Sequence, residues 1–280
     1  MKINLIAFAV LSLMLLACKK ETIVEEDDYL FSLTIDENYS IEQIEERLEG
    51  IKRIGELILT KEVENLNFLN GVSNIGELRI SSETKLTSLD PIYDITINKT
   101  LSIYCENLKT LKQFNQISEL SSLGLKFGEE IKVIRLENLT KIRTGMIIRG
   151  SHLEEIHLPD LEEVEGVIRI IEAPMLTTIN FPKLKEAPRL EVKDNPVLVS
   201  MGNWPQLERI DNIFIRDNEM LLDISFLEAV DIDNSIHIYD CDIEDFCILE
   251  EKILDNPELS FFLRSSDNQS WELSDFEQCP

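Results

Sequence analysis

Apolar residues recur along this chain at a spacing that no single helix or strand produces. Aligned on short apolar-x-apolar runs, nine starts stand out: Leu57, Leu78, Leu101, Leu123, Met146, Ile168, Leu190, Ile213 and Ile236. Their intervals are 21, 23, 22, 23, 22, 22, 23 and 23 residues. Two units show the whole frame. One carries Leu123, Leu125, Ile131, Ile134, Leu136, Leu139 and Ile142; another carries Ile168, Ile170, Leu176, Ile179, Phe181, Leu184 and Ala187, at the same offsets. The alternation that opens each unit has the period of a strand. A second group, L-x-x-I-x-(L/F), ends in the same alternation, and a short L-x-x-(I/V/A) segment returns the chain. Turn formers separate the groups: "ENL" at 106–108, "EAPML" at 172–176, "DNPVL" at 194–198 and "DNEML" at 217–221. Asn and Asp tolerate the bends there, and Pro fixes φ before the next apolar position. Each unit is too short for a strand plus a long helix, so two or three short strands per unit are expected. One such unit cannot bury its apolar face alone, but stacked units cover one another. The pattern predicts a mainly β chain built as a parallel β-helix of about nine coils of 22–23 residues over residues 51–243. At about 4.8 Å per stacked strand, nine coils make a rod on the order of 40 Å long.

The stretch "LEEIHLPDLEEVEGVIRIIEAPMLTTINFPKL" resembles the receptor L domain, and the resemblance extends over about residues 51–250. That family is found in growth-factor receptor ectodomains, fungal wall proteins and bacterial lipoproteins. The resemblance implies a right-handed, leucine-rich-repeat-like solenoid. Ordinary leucine-rich repeats share the L-x-x-L-x-L core. However, Leu161 and Leu184 stand where their frame has Asn, and no helix-forming half-repeat is present. Both departures argue against the ordinary horseshoe.

The N-terminal "MKINLIAFAVLSLMLLACKK" stands outside the frame. Lys2 provides a small positive segment, and the apolar run from Ile3 to Leu16 is interrupted only by Asn4 and Ser12. A membrane-spanning helix needs roughly 20 apolar residues, so this run fits a secretory leader better. It ends in Leu15-Leu16-Ala17-Cys18, which resembles the lipobox of bacterial lipoproteins. That resemblance implies a leader at 1–17 and an acylated Cys18 as the first mature residue. Each buried methylene of an acyl chain contributes about 0.8 kcal/mol, so several chains would hold a soluble domain at a bilayer. Residues 18–28 then read as an acidic, solvated tether. Acid-rich stretches at this place resemble export tags to the outer face of the bacterial outer membrane, which is the expected location.

An open stack of coils exposes apolar surface at both ends and needs caps. Over residues 29–50, "YLFSLTI" reads as a strand. Ser40 followed by Gln43 reads as a capping box for a helix with Ile41, Ile44 and Leu48 inward, ended by Gly50. Over 244–280, "EDFCILEEKILDN" reads as a helix with Phe246, Leu249, Ile253 and Leu254 inward, and "LSFFLR" as a strand. Beyond Cys18 there are Cys105, Cys241, Cys247 and Cys279. The envelope compartment permits disulfides. Related bacterial lipoproteins close with a helix-start Cys joined to a last-turn Cys, and this resemblance implies Cys247–Cys279, with Cys241–Cys279 as the rival. Such a loop, about 30 residues, stabilises by about 3–4 kcal/mol in the entropic model. Cys105, expected in a turn, reads as a free thiol.

Composition narrows the function classes. The chain has 27 Lys+Arg against 53 Asp+Glu, a net charge of -26. Such a surface repels nucleic acid at long range. Aromatic residues are 7% of the chain, which suits a narrow aliphatic core. Three His are present. His152 and His157 sit five residues apart around a turn and are expected to be exposed rather than ligands. There is no Gly-rich phosphate loop, G-x-S-x-G or H-E-x-x-H. Asp231, Asp233, Asp240, Asp242 and Asp245 form an acidic cluster whose spacing does not match a calcium loop. Trp204 falls near a core offset and is expected to be buried, and Trp271 is a candidate exposed aromatic. No catalytic, cofactor or metal residue is assigned. The expectation is a non-enzymatic, monomeric lipoprotein that binds a protein or glycan through outward residues such as Arg79, Ser102, Arg169, Glu191, Phe214 and His237. The alternative is a periplasm-facing scaffold of the cell envelope.

Overall fold

The computed structural model describes residues 28–36, 38–60 and 63–279. The expected leader at 1–17, Cys18 and most of the expected tether at 18–28 lie outside them. The described chain is mainly β. In chain order the strands are β1 (Tyr29–Ile35), β2 (Arg53–Leu59), β3 (Asn74–Ile80), β4 (Thr96–Cys105), β5 (Glu119–Phe127), β6 (Val133–Arg135), β7 (Lys141–Gly150) and β8 (Glu155–His157). There follow β9 (Glu163–Val164), β10 (Val167–Ile171), β11 (Thr178–Asn180), β12 (Glu186–Lys193), β13 (Arg209–Asn218), β14 (Asp231–Cys241) and β15 (Ser260–Leu263). Eleven of them form one path of a parallel sheet, β1-β2-β3-β4-β5-β7-β10-β12-β13-β14-β15, with β9 alongside β7 and β12.

The register follows directly from the sequence frame. Leu57, Leu78, Leu101, Leu123, Met146, Ile168, Leu190, Ile213 and Ile236 are successive partners across the sheet. They and the apolar residues two further on are buried in a single core. The unequal intervals have local causes. Ile75 pairs with Ile97 at 22 residues, whereas Leu78 pairs with Leu101 at 23, so one extra residue is accommodated in β4. The same one-residue bulge separates Leu120↔Ile142 from Leu123↔Met146, and Ile210↔Ile232 from Ile213↔Ile236. A bulge bends the strand where the chain turns from one inward row to the next.

The second strand expected in every unit forms only in the middle of the chain, where β6, β8 and β11 make a three-stranded sheet. Elsewhere the chain makes single 3-10 turns at Asn67–Leu69, Ile92–Asp94 and Ser225–Leu227. The buried residues explain the difference. Ile134, Ile156 and Ile179 lie between outward neighbours, as a strand requires. Phe68-Leu69, Ile92-Tyr93 and Phe226-Leu227 are buried as adjacent pairs, which a tight turn satisfies and a strand does not.

At the ends, β1 and β15 continue the large sheet, with Leu33 beside Leu57 and Phe261 beside Ile236. Helix α1 (Ile41–Leu48) has the expected capping box: Ser40 Oγ accepts from the Gln43 amide at 3.3 Å, and the Ser40 amide donates to Gln43 Oε1 at 2.9 Å. Ile44 and Leu48 are buried, but Ile41 faces out. In the C-terminal segment the expected single helix is a 3-10 turn, Cys247–Leu249, leading into α2 (Glu250–Asp255), and Leu254 points outward. A last short helix, α3 (Leu273–Phe276), buries Phe276. No helix of the described residues is long and apolar enough to cross a membrane.

Candidate binding surface

Strand alternation sets the outer face of the large sheet. If Leu190 and Val192 point inward, Glu191 points outward. One outward row runs Ile58, Arg79, Ser102, Gly124, Ile147, Arg169, Glu191, Phe214, His237 and Phe262, each the partner of the next. All six outward residues named from the sequence therefore lie in this one row. On one side of it, register places Arg189 between Val167 and Asn212. On the other side, Tyr104, Lys126 and Arg149 are successive partners, as are Ile171, Lys193, Arg216 and Tyr239.

The charge of this face is uneven. A depression of about 410 Å³ over β7 to β13 is lined by Arg149, Arg169, Ile171, Arg189, Glu191, Lys193, Phe214 and Arg216. Its lining thus holds five cations and one carboxylate, on a chain where acids outnumber bases 53 to 27, and further carboxylates reach the cations only from the turn edge. Glu191 organises the centre. Arg169 donates to both of its oxygens, through Nε to Oε2 and through Nη2 to Oε1 at 3.2 Å. Arg189 Nε lies 2.6 Å from Oε1 but is not aligned for a hydrogen bond. The Arg169 guanidinium holds the Glu191 carboxyl below the usual carboxylate range against the opposing effect of burial. Arg189 Cζ stands 4.3 Å from the centre of the Phe214 ring, and Phe214 packs on His237 with ring centres 4.9 Å apart. Burial pushes the His237 imidazole below its ordinary pKa, which favours its neutral form. The column ends with Tyr239 against Phe262 at 5.3 Å and Arg264 Cζ 5.6 Å from the Tyr239 ring.

Carboxylates at the turn edge meet several of these cations. Lys193 Nζ lies 3.2 Å from Asp194 and Arg149 Nε 3.9 Å from Glu172; Arg216 pairs with Asp217 and Arg264 with Asp240. Those four acids share a backbone state, with φ of 56° at Glu172, 59° at Asp194, 54° at Asp217 and 54° at Asp240. This left-handed conformation turns the chain out of the strand. The residue that follows each points into the core: Ala173, Asn195, Asn218 and Cys241. Asn195 and Asn218, whose sequence context predicts turn formers, are both fully buried. Asn195 Oδ1 accepts from the Ala173 amide at 3.2 Å, and its Nδ2 donates to Lys193 O and to Asn218 Oδ1, both at 3.0 Å. Asn218 Oδ1 also accepts from the Asn195 amide at 3.1 Å, while its Nδ2 donates to Val192 O and Arg216 O. The ladder holds the backbone beneath the cationic depression.

Other candidates are placed elsewhere. His157 contacts Asn180 Nδ2 through Nδ1 at 2.8 Å on the three-stranded sheet, while His152 is exposed beside Ser151. The acidic cluster is divided: Asp233 pairs with Arg209, Asp240 with Arg264, and Asp245 accepts from the Cys247 amide at 2.7 Å. Among the described residues no group of three or more His, Cys, Asp or Glu is arranged to hold a metal ion. Trp204 is buried between Phe181 and Phe226, each ring 5.1 Å away, and Trp271 is half-buried against Phe246 and Phe276. The Cys247 and Cys279 sulfurs are at bonding distance, 1.90 Å. Cys241 is a buried thiol pushed up to about 12 by burial. Cys105 ends β4 rather than lying in a turn, and it too is buried and free. No protein-family model, no curated protein and no solved structure matches this chain.

Proposed function

We propose that the chain is a membrane-anchored, non-catalytic binding module of a bacterial outer membrane. In this reading it is a right-handed parallel β-helix of the receptor L-domain kind, carried on lipid at Cys18 and facing the cell exterior. The observation that carries the reading is the single outward row from Arg79 to Phe262. It brings residues that the repeat leaves free onto one continuous face and concentrates cations and aromatics at its C-terminal half. The anchor rests on the apolar run ending at Leu15-Leu16-Ala17-Cys18. The coiled architecture is supported by parallel pairing of strands about 22 residues apart along the chain.

A periplasm-facing scaffold is the second reading. A different feature favours it: Met175, Val199, Met220 and Leu222 are exposed on the turns that follow β10, β12 and β13, and apolar side chains gathered there suit contact with another protein. Protease treatment of intact cells separates the two. The first reading expects the domain to be cleaved from the surface while a periplasmic control survives. A pool protected until the outer membrane is permeabilised supports the scaffold instead.

A further inference from the structure

The cationic depression on β7 to β13 has a chemistry that points to one class of ligand. Its volume, about 410 Å³, lies in the range of small-ligand sites. Its donors are mostly guanidinium groups, whose planar forks match carboxylates. Arg169 is occupied by Glu191, Arg189 meets the same carboxylate through Nε and Arg216 pairs with Asp217 through one Nη, which leaves each of the last two a free edge, but Arg149 is not matched in this way. Its Nε is buried without a hydrogen-bond partner, and its nearest carboxylate, on Glu172, is 3.9 Å away. Ile171 and Phe214 give the floor apolar patches between the charges.

The depression continues at Arg169 into a second one, about 340 Å³, whose lining includes Thr100, Ser102, Ser122, Gly124 and Tyr104. Hydroxyl groups and one aromatic ring suit a polyhydroxylated chain with apolar C–H faces. The strands beneath are about 4.8 Å apart, close to the length of one sugar ring. A peptide is less well served. These inner strands already bond neighbours on both sides, so no strand edge is open for main-chain pairing. The net charge of -26 opposes a dense polyanion such as nucleic acid at long range, whereas one or a few carboxylates meet mainly the local cations.

We propose that this depression binds the carboxylate-bearing sugar of an acidic oligosaccharide, with Arg149, Arg189 and Arg216 facing the carboxylate, Glu191 positioning Arg169 and Arg189, and the adjoining chain of neutral sugars lying over Ser102 and Tyr104. The proposal rests on the binding-module reading and names its ligand class. The test applies the full chain to an array of neutral, uronic-acid and nonulosonic-acid oligosaccharides and, beside it, to a protein array. Titration calorimetry follows with tetragalacturonate, its neutral tetragalactose counterpart and tetraglutamate. The expected result is binding of acidic glycans, with at least tenfold weaker binding of the neutral and peptide probes. An Arg149→Gln/Arg216→Gln variant with unchanged melting should lose at least tenfold for the acidic probe. Binding confined to neutral glycans or proteins, equal binding of tetraglutamate, or full binding by the double variant overturns the proposal while leaving a binding module in place. No ligand on glycan or protein arrays overturns both.

Discussion

Asn195 and Asn218 are the residues on which the turns beneath the cationic face depend. Each amide side chain satisfies main-chain groups of its own turn and of a neighbouring strand, in full burial. Leaving such groups unpaired costs about 1–3 kcal/mol each. Asn218→Ala is therefore expected to destabilise by about 3 kcal/mol or more, read as a shift in urea midpoint at unchanged slope. A loss below about 1 kcal/mol would show that water replaces the ladder. The sequence shows Asn at these places but does not show which way it points. The motif D-N-x-x-L reads as an exposed bend, and only the left-handed residue before each Asn turns the amide inward. The outward residues Arg169, Glu191, Phe214 and His237 were legible because strand alternation names them. Arg149, Arg189, Lys193 and Arg216 were not, because they are scattered along the sequence. Carrying the 22–23-residue interval one position back and three forward from each start would have found them.

At the scale of elements, the sheet is held by like residues stacked at strand spacing, and its tight points lie where the chain bends between rows. Gly166 is the clearest. A Cβ there would lie 2.0 Å from Thr144 O in the adjacent strand, with no side chain able to yield. Gly166→Ala is expected to cost about 3 kcal/mol, at the upper end of overpacking effects. A thermal midpoint within a degree of the wild type would mean that β9 and β10 separate from β7 freely. Surface pairs follow the same register. Lys141 meets Glu163, Lys183 meets Asp160, and Lys185 meets Glu162, each 22 or 23 residues apart and within 2.8 Å. Asp160 and Lys183, and His157 and Asn180, which hold the same offsets in successive segments, are thus direct neighbours. The aliphatic frame fixed the strands and their order. It did not disclose the 3-10 turns, since a buried adjacent pair such as Phe226-Leu227 fits the same apolar count as an alternating strand.

For the whole molecule, the balance of charge outweighs any single pair. Exposed ion pairs contribute about 0–1 kcal/mol each. The net charge of -26 acts on the folded chain as a distributed repulsion. Raising the salt from roughly 10 to 150 mM shortens the screening length to about 8 Å. Melting temperature at pH 7 is accordingly expected to rise over that range, and a fall would show that the interstrand pairs dominate. Acid acts in two opposing ways. Protonation toward the isoelectric point, about 4.4, relieves repulsion. Glu191, held below its ordinary value by Arg169, contributes stability above its unfolded-state pKa, near 4.5, that is lost as pH falls through the folded-state value. Binding at the outer face of the large sheet, as proposed above, is read by array binding of the full chain beside two variants of equal stability. One changes the outer face, Arg149→Gln/Phe214→Ala/Arg216→Gln; the other changes the three-stranded sheet, Arg135→Gln/Thr178→Ala. A loss of about tenfold or more, some 1.4 kcal/mol, is expected in the first and none in the second. Equal signal from wild type and the outer-face variant, or loss confined to the three-stranded sheet, would contradict it.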